Sequence, residues 1–237
     1  MLSAESYQLI IEKFLKSLRD GTLKPNDKIY SENQLANSLR IPRAQVREVY
    51  AALSLLGVLY SQQGKGTFLG GGDIAQSSNI LYLMTLTAGE NFQDVLAVRH
   101  ILETGGARAA ARNRTDADLE ALRAFAGTIE TSRDPQVLTE ADPALHARLL
   151  RASGNALLHS LFQIVAGYMS RISLHHWTEV IRQPRETSFL PDYIRQHWDL
   201  VHAVEDGDGG RLLALLEHHF DTLEKNYGLR DQRPQNP

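Results

Sequence analysis

Tyr7, Ile10, Ile11, Phe14, Leu15 and Leu18 recur at helical spacing, which predicts an amphipathic helix over residues 4–19 ending near Gly21. Pro25-Asn26-Asp27 is turn chemistry leading into a short extended piece, Lys28–Tyr30. Ser31 stands three residues before Gln34, a capping-box spacing that starts a helix over about 32–39. Pro42 suits the first position of the next helix, because its missing N–H costs nothing there. That helix should bury Val46, Val49, Tyr50 and Leu53 and reverse near Gly57. Gly64 and Gly66 then permit a tight hairpin between Val58–Gln62 and Thr67–Leu69.

A capped helix, a tight turn, a second helix opening on arginines and a glycine hairpin describe a winged helix-turn-helix. Three consecutive glycines at 70–72 open a linker with a small polar tail. Beyond it the pattern is helical throughout, with spans predicted at 78–87, 91–113, 116–131, 135–152, 155–181, 190–206 and 208–228. Breaks fall at Gly89, Arg114-Thr115, Gly154 and Asp206–Gly210, with Pro184 and Pro191 bracketing another. The expected fold is mainly α: a winged domain at 1–69, a linker at 70–79, and an all-α bundle of six or seven helices at 80–230.

Composition adds little until the chain is divided. Of the 237 residues, 43% are hydrophobic and 22% charged, and cysteine is absent, so disulfides and thiolate metal sites are excluded. The N-terminus has no signal-peptide pattern and no apolar run approaches bilayer length, so a cytoplasmic protein without a membrane partner is expected. The net charge of −3 hides an asymmetry. Residues 1–70 hold nine Lys/Arg against six Asp/Glu, whereas 71–237 hold sixteen against twenty-two and all nine histidines. A basic head on an acidic body suits a nucleic-acid reader.

Arg43 and Arg47 are four apart at the start of the second helix of the pair and share a face opposite Val46, Val49 and Tyr50. Guanidinium groups at a helix N-terminus suit phosphates and guanine edges, and Gln45 between them has both donor and acceptor. In the wing, Gln63, Gly64, Lys65 and Gly66 have little bulk, so their backbone can approach a sugar-phosphate rail. Residues 7–69 resemble the winged domain of the GntR family of bacterial transcription regulators. The resemblance rests on Ser31-Glu32…Leu35-Ala36, Arg43-Ala44-Gln45-Val46-Arg47-Glu48 and Gly64-Lys65-Gly66-Thr67-Phe68. Pro42 stands where the family usually has Ser, Gln45 replaces a common Pro or Thr, and Asn33 replaces a frequent arginine. The resemblance implies docking on double-stranded operator DNA through these residues.

Asp142 and His146 are four apart and should project from one helical face. His197 lies nine residues before Asp206 and His219 nine after Gly210, so an antiparallel pair would bring them face to face. Against this, Pro143 disfavours helix at Asp142 and offers that residue a capping role instead. Residues 80–228 are similar to the FCD effector domain of the FadR-type GntR branch, on Asp142-Pro-Ala-Leu-His146, Ala152-Ser153-Gly154-Asn155, His197 and His219. The resemblance implies a divalent metal, zinc or nickel, on those four side chains. His202 and His218 fall outside the pattern, and His175 and His176 read as surface or interface residues. Arg99 sits among apolar neighbours and needs an anion. Glu103 can supply it; the resemblance instead implies that Arg99 clamps the carboxylate of a small effector. The expectation is a homodimeric regulator, a repressor released by a small organic acid. Two alternatives stand beside it: a metal-dependent hydrolase, and a regulator whose effector is the ion itself.

Overall fold

The computed structural model describes residues 4–71, 75–88, 92–182 and 189–226. Part of the expected linker (72–74), the breaks at Gly89 and Pro184, and residues 227–230 lie outside that range. The chain divides into two compact units, Met1–Ile80 and Leu81–Pro237.

The first unit contains α1 (Ala4–Arg19), α2 (Glu32–Leu39), α3 (Arg43–Leu55) and an antiparallel hairpin of β1 (Leu59–Gln62) and β2 (Gly66–Leu69). Ile10, Leu35, Val46 and Val49 are fully buried and pin the three helices together. The Ser31 side chain accepts from the Gln34 N–H, and Gln34 Oε1 accepts from the Ser31 N–H at 2.9 Å, so the capping box forms. Arg40 adopts a left-handed conformation, φ 55°, which ends α2 and turns the chain toward α3. Pro42 lies one residue outside α3 rather than at its first position, and its carbonyl accepts from Gln45 N–H. Lys28 bridges to Phe68, adding a third extended piece beside the wing. Gly66 is required where it stands: its φ is +114°, and a Cβ there would meet Lys28 Cε at 2.8 Å.

The second part of the chain carries α4 (Ala75–Ala88), α5 (Phe92–Asn113), α6 (Asp116–Thr131), α7 (Pro135–Ala152), α8 (Ala156–Arg182), α9 (Phe189–Glu205) and α10 (Gly209–Asn226). The observed fold is therefore the expected one: a winged helix-turn-helix followed by an all-helical bundle, with α4 starting three residues earlier than its apolar pattern suggested. Helix α7 packs against α5, α6 and α8, and α10 packs against α5 and α9. Leu122, Ile129, Leu138, Leu145, Phe162 and Leu216 fill the shared core with no exposure. The α9–α10 turn is short because Gly207 takes φ +70° and Asp208 Oδ1 accepts from the Gly210 and Arg211 N–H groups. Asp134 caps α7 and Pro135 opens it, so Pro143 is interior. Asp142 is thus a mid-helix residue, and the capping alternative for it does not hold.

Candidate metal centre and nucleic-acid interface

Arg43 and Arg47 open α3 with more than half of each side chain exposed. Both lean on Glu32 at the start of α2: Arg43 Nε donates to Glu32 Oε2 at 2.8 Å, and Arg47 Nε lies 3.7 Å from it. Gln45 is half-buried and offers less to a partner than its two neighbours. Gln63, Gly64, Lys65 and Gly66 are all exposed at the tip of the wing. A cleft of about 930 Å³ lies among α1, the start of α2 and the wing, and Lys13, Lys28, Arg43 and Lys65 contribute to its lining. Four cations around one concavity on a basic unit form a surface complementary to a phosphate backbone.

In the helical bundle, Asp142 and His146 on α7, His197 on α9 and His219 on α10 are all buried. One donor atom from each lies within 4.8 Å of the others. His146 Nε2 is 3.3 Å from His197 Nε2 and 3.5 Å from Asp142 Oδ1, and His197 Nε2 is 3.1 Å from the same oxygen. Ligands bound to zinc at about 2.0–2.2 Å stand roughly 3.3 Å apart around a tetrahedron, so these three edges suit one ion. The Nδ1 side of each ring has its own acceptor. His146 donates to Glu103 Oε2, His197 to the Tyr193 carbonyl at 2.7 Å, and His219 to Gln196 Oε1 at 2.9 Å. Proton placement on Nδ1 leaves all three Nε2 lone pairs facing inward, the arrangement ligating histidines need. His219 Nε2 is buried and has no hydrogen-bond partner among the described residues. An orphaned acceptor inside a converging donor set is free to take a cation, so these residues fit a divalent metal.

Electrostatics agree with that fit at two of the three imidazoles. Burial lowers the pKa of His197 despite Asp142, and burial together with His197 and His146 holds His219 well below the imidazole range. Both rings are therefore neutral donors. Burial would raise Asp142, but the Arg99 guanidinium beside it holds it well below the usual carboxylate range. Burial likewise opposes a charge on His146, and Glu103 outweighs it. Arg99 is itself buried, donating from Nε to Glu103 Oε1 at 2.6 Å and from Nη1 to Asp142 Oδ2 at 3.1 Å. Its guanidinium lies over the rings of Phe162 and Phe220 at 5.9 and 5.6 Å. Nη2 has no partner among the described residues. Beside the cluster a small cavity of about 10 Å³ is lined by Arg99, Asp142, Ser173, His176, Trp177 and Tyr193, among others.

Residues 6–69 match the family described as bacterial regulatory proteins, gntR family, and residues 94–222, more than half of the chain, match the FCD domain. The chain belongs to the FadR-type branch of the GntR family. It is 34% identical over 211 residues to the HTH-type transcriptional regulator LutR of Bacillus subtilis (strain 168), covering 87% of this chain and 94% of that one. A protein of Escherichia coli (strain K12), provisionally named the L-lactate dehydrogenase operon regulatory protein, is 30% identical over 211 residues, 84% of this chain and 78% of that one. Among solved structures, Streptococcus agalactiae GntR superposes with a TM-score of 0.68 at 20% identity, over 92% of this chain and 99% of that one, which supports the fold. As a member of this family the chain is a ligand-responsive DNA-binding transcription regulator. The families and relatives are regulators and not enzymes, so the hydrolase alternative falls.

Several contacts around both sites carried no readable signal in the sequence. Glu32 braces Arg43 and Arg47 through a contact between two helices. Lys28 reaches the wing because an extended piece pairs with β2. Glu103, Tyr193 and Gln196 orient the three imidazoles from α5 and α9, and Tyr193 also donates its hydroxyl to Asp142. Among the remaining histidines, His175, His202 and His218 are exposed, whereas His176, expected at a surface or interface, is half-buried and lines the small cavity. Burial and His175 push the His176 pKa down to about 4, so it faces that cavity as a neutral ring.

Proposed function

We propose that this regulator is a homodimeric repressor released from a two-fold operator by a small carboxylate bound beside a divalent metal, zinc or nickel. Asp142, His146, His197 and His219 would hold the ion, which supplies a Lewis-acidic position for one oxygen of the effector. Arg99 would take the carboxylate through its unpartnered nitrogen. The observation that carries this reading is the charge of the buried cluster. With all three histidines neutral, as ligands to an ion must be, Asp142 and Glu103 exceed Arg99 by one negative charge, and a divalent ion turns that excess positive. A monoanion then restores neutrality in a dry site. Ser173 and His176 add neutral hydrogen-bonding groups to a cavity with room for about one water, so side chains must give way before an effector enters. That chemistry suits a short hydroxy acid, and a relative named for an L-lactate dehydrogenase operon makes L-lactate the first candidate.

In this reading residues 1–69 are the DNA reader and 80–230 the effector and dimerisation body. Arg43, Arg47, Gln45 and the Gln63–Gly66 tip would meet the DNA. Self-association is supported by exposed apolar side chains on two packed helices, Val98 and Ile101 on α5 and Leu157 and Leu161 on α8. Effector binding would bias the placement of the paired reading heads, a coupling typically of about 1–3 kcal/mol.

The test is a binding titration of the purified protein on DNA from upstream of its own gene. Zinc, nickel, acetate and L-lactate are added singly and in pairs. The proposal expects release by a carboxylate only when metal is present. Release by metal alone would favour the ion-sensing alternative, against which the unpartnered Arg99 nitrogen already argues. Carboxylates without effect at any metal level would remove the proposal.

A further inference from the structure

Glu103 enters that reading only as a negative charge. It lies on α5 one turn after Arg99 and is completely buried. Its two oxygens go to different partners: Oε1 accepts from Arg99 Nε at 2.6 Å, and Oε2 accepts from His146 Nδ1. His146 is on α7, so a single carboxylate ties the helix bearing the arginine to the helix bearing two of the four converging donors.

Resting on the proposed function, we propose that Glu103 is a positioning residue that couples metal binding to effector binding, holding His146 with one oxygen and Arg99 with the other. On the metal side, the occupied Nδ1 fixes the ring so that Nε2 faces His197 Nε2 at 3.3 Å and Asp142 Oδ1 at 3.5 Å. Orienting acceptors of this kind change metal affinity by about 10–100-fold. On the effector side, Glu103 holds Nε and Asp142 holds Nη1, while two aromatic rings lie within 6 Å of the guanidinium carbon. The group is fixed in orientation with Nη2 left over, which preorganises it for an anion. Both arms end on one carboxylate, so whatever orders one of them orders the other, and the effect is reciprocal. Glu103 adds to the link that Asp142 already makes between Arg99 Nη1 and the converging donors, and as a mere counter-ion for Arg99 it would add nothing to it.

The test measures zinc affinity of the full-length protein by competition with a chelating dye, with and without acetate or L-lactate. Wild type is compared with Glu103→Gln and Glu103→Asp. Glutamine keeps the volume but has one acceptor oxygen, so one of the two N–H partners faces an N–H2 group. Glu103→Gln is expected to bind zinc about 10–100-fold more weakly and to lose part of the gain in zinc affinity that the carboxylate gives wild type. Aspartate keeps the charge but is one methylene too short to reach both partners, and should lose the same part of that gain. It carries the test if the glutamine variant does not fold. Wild-type zinc affinity and an undiminished gain in whichever variant folds overturn the inference, as does a wild-type zinc affinity indifferent to both carboxylates. A wild type that takes up no zinc overturns the functional reading first, and this inference with it.

Discussion

A single imidazole shows how sharply the helical bundle can be tested. His219 is fully buried, accepts nothing at Nε2 among the described residues, and is oriented by Gln196 at Nδ1. His219→Ala is expected to lower metal content per chain, measured by elemental analysis after purification, while leaving operator affinity without effector near wild type. Full metal stoichiometry in that variant would remove His219 as a ligand. On the reading head, Arg47 is the more exposed of the two α3 arginines and the one held less closely by Glu32. Arg47→Ala should weaken DNA binding and reduce the slope of log affinity against log salt by about 1, read from titrations at several salt concentrations. At this scale the sequence went far for residues that carry their own pattern. The i, i+4 spacing of Asp142 and His146 is visible in one helix, and the equal distances of His197 and His219 from a glycine turn are visible across two. The orienting groups had no such signature. Glu103 was visible only as a partner for Arg99 one turn away, because its contact with His146 exists only once α5 lies against α7.

The elements were legible where a chemical signal stops the chain, and less so where it does not. Ser31 with Gln34, Thr115 with Asp118, and Asp134 before Pro135 each fix a helix start through side-chain caps, and the observed starts agree with the pattern. The start of helix α4 was read from its apolar run alone, which placed it three residues late. Pro143 is the opposite case. A proline disfavours helix locally, yet α7 continues through it, because Leu138, Leu145 and Leu149 are completely buried on either side. Tertiary burial outweighs the lost hydrogen bond. The cap of α2 gives a quantitative check. Ser31→Ala removes the acceptor for the Gln34 N–H and should destabilise the winged unit by about 1 kcal/mol, measured by chemical denaturation. Since α2 also carries Glu32, which braces both arginines, the same variant should weaken operator binding. Unchanged stability would mean that α2 is held by packing of Leu35 and Ala36 alone.

Across the whole molecule, the two compact units and the placement of the converging groups in only one of them give a prediction neither unit makes alone. If α5 and α8 form the contact between copies, Ile101→Asp, at a position 69% exposed, should shift the protein toward monomer in sedimentation and weaken operator binding together with it. The metal separates the units more directly. An ion bound to the native state and not to the unfolded chain stabilises only the unit that holds it, by about 2.7 kcal/mol at a free concentration one hundred times its dissociation constant. Asp142, His146, His197 and His219 all belong to the second unit, on helices that share its core. Removing metal with a chelator should therefore lower the melting temperature of the helical body and leave the winged unit's transition where it was. Zinc or nickel should restore it. The size of the shift should follow metal concentration logarithmically, as linkage demands. A chelator that moves both transitions equally would place the stabilising ion somewhere other than the histidine cluster, and one that moves neither would leave the buried excess of carboxylate over guanidinium to be neutralised by a protonated His146 instead.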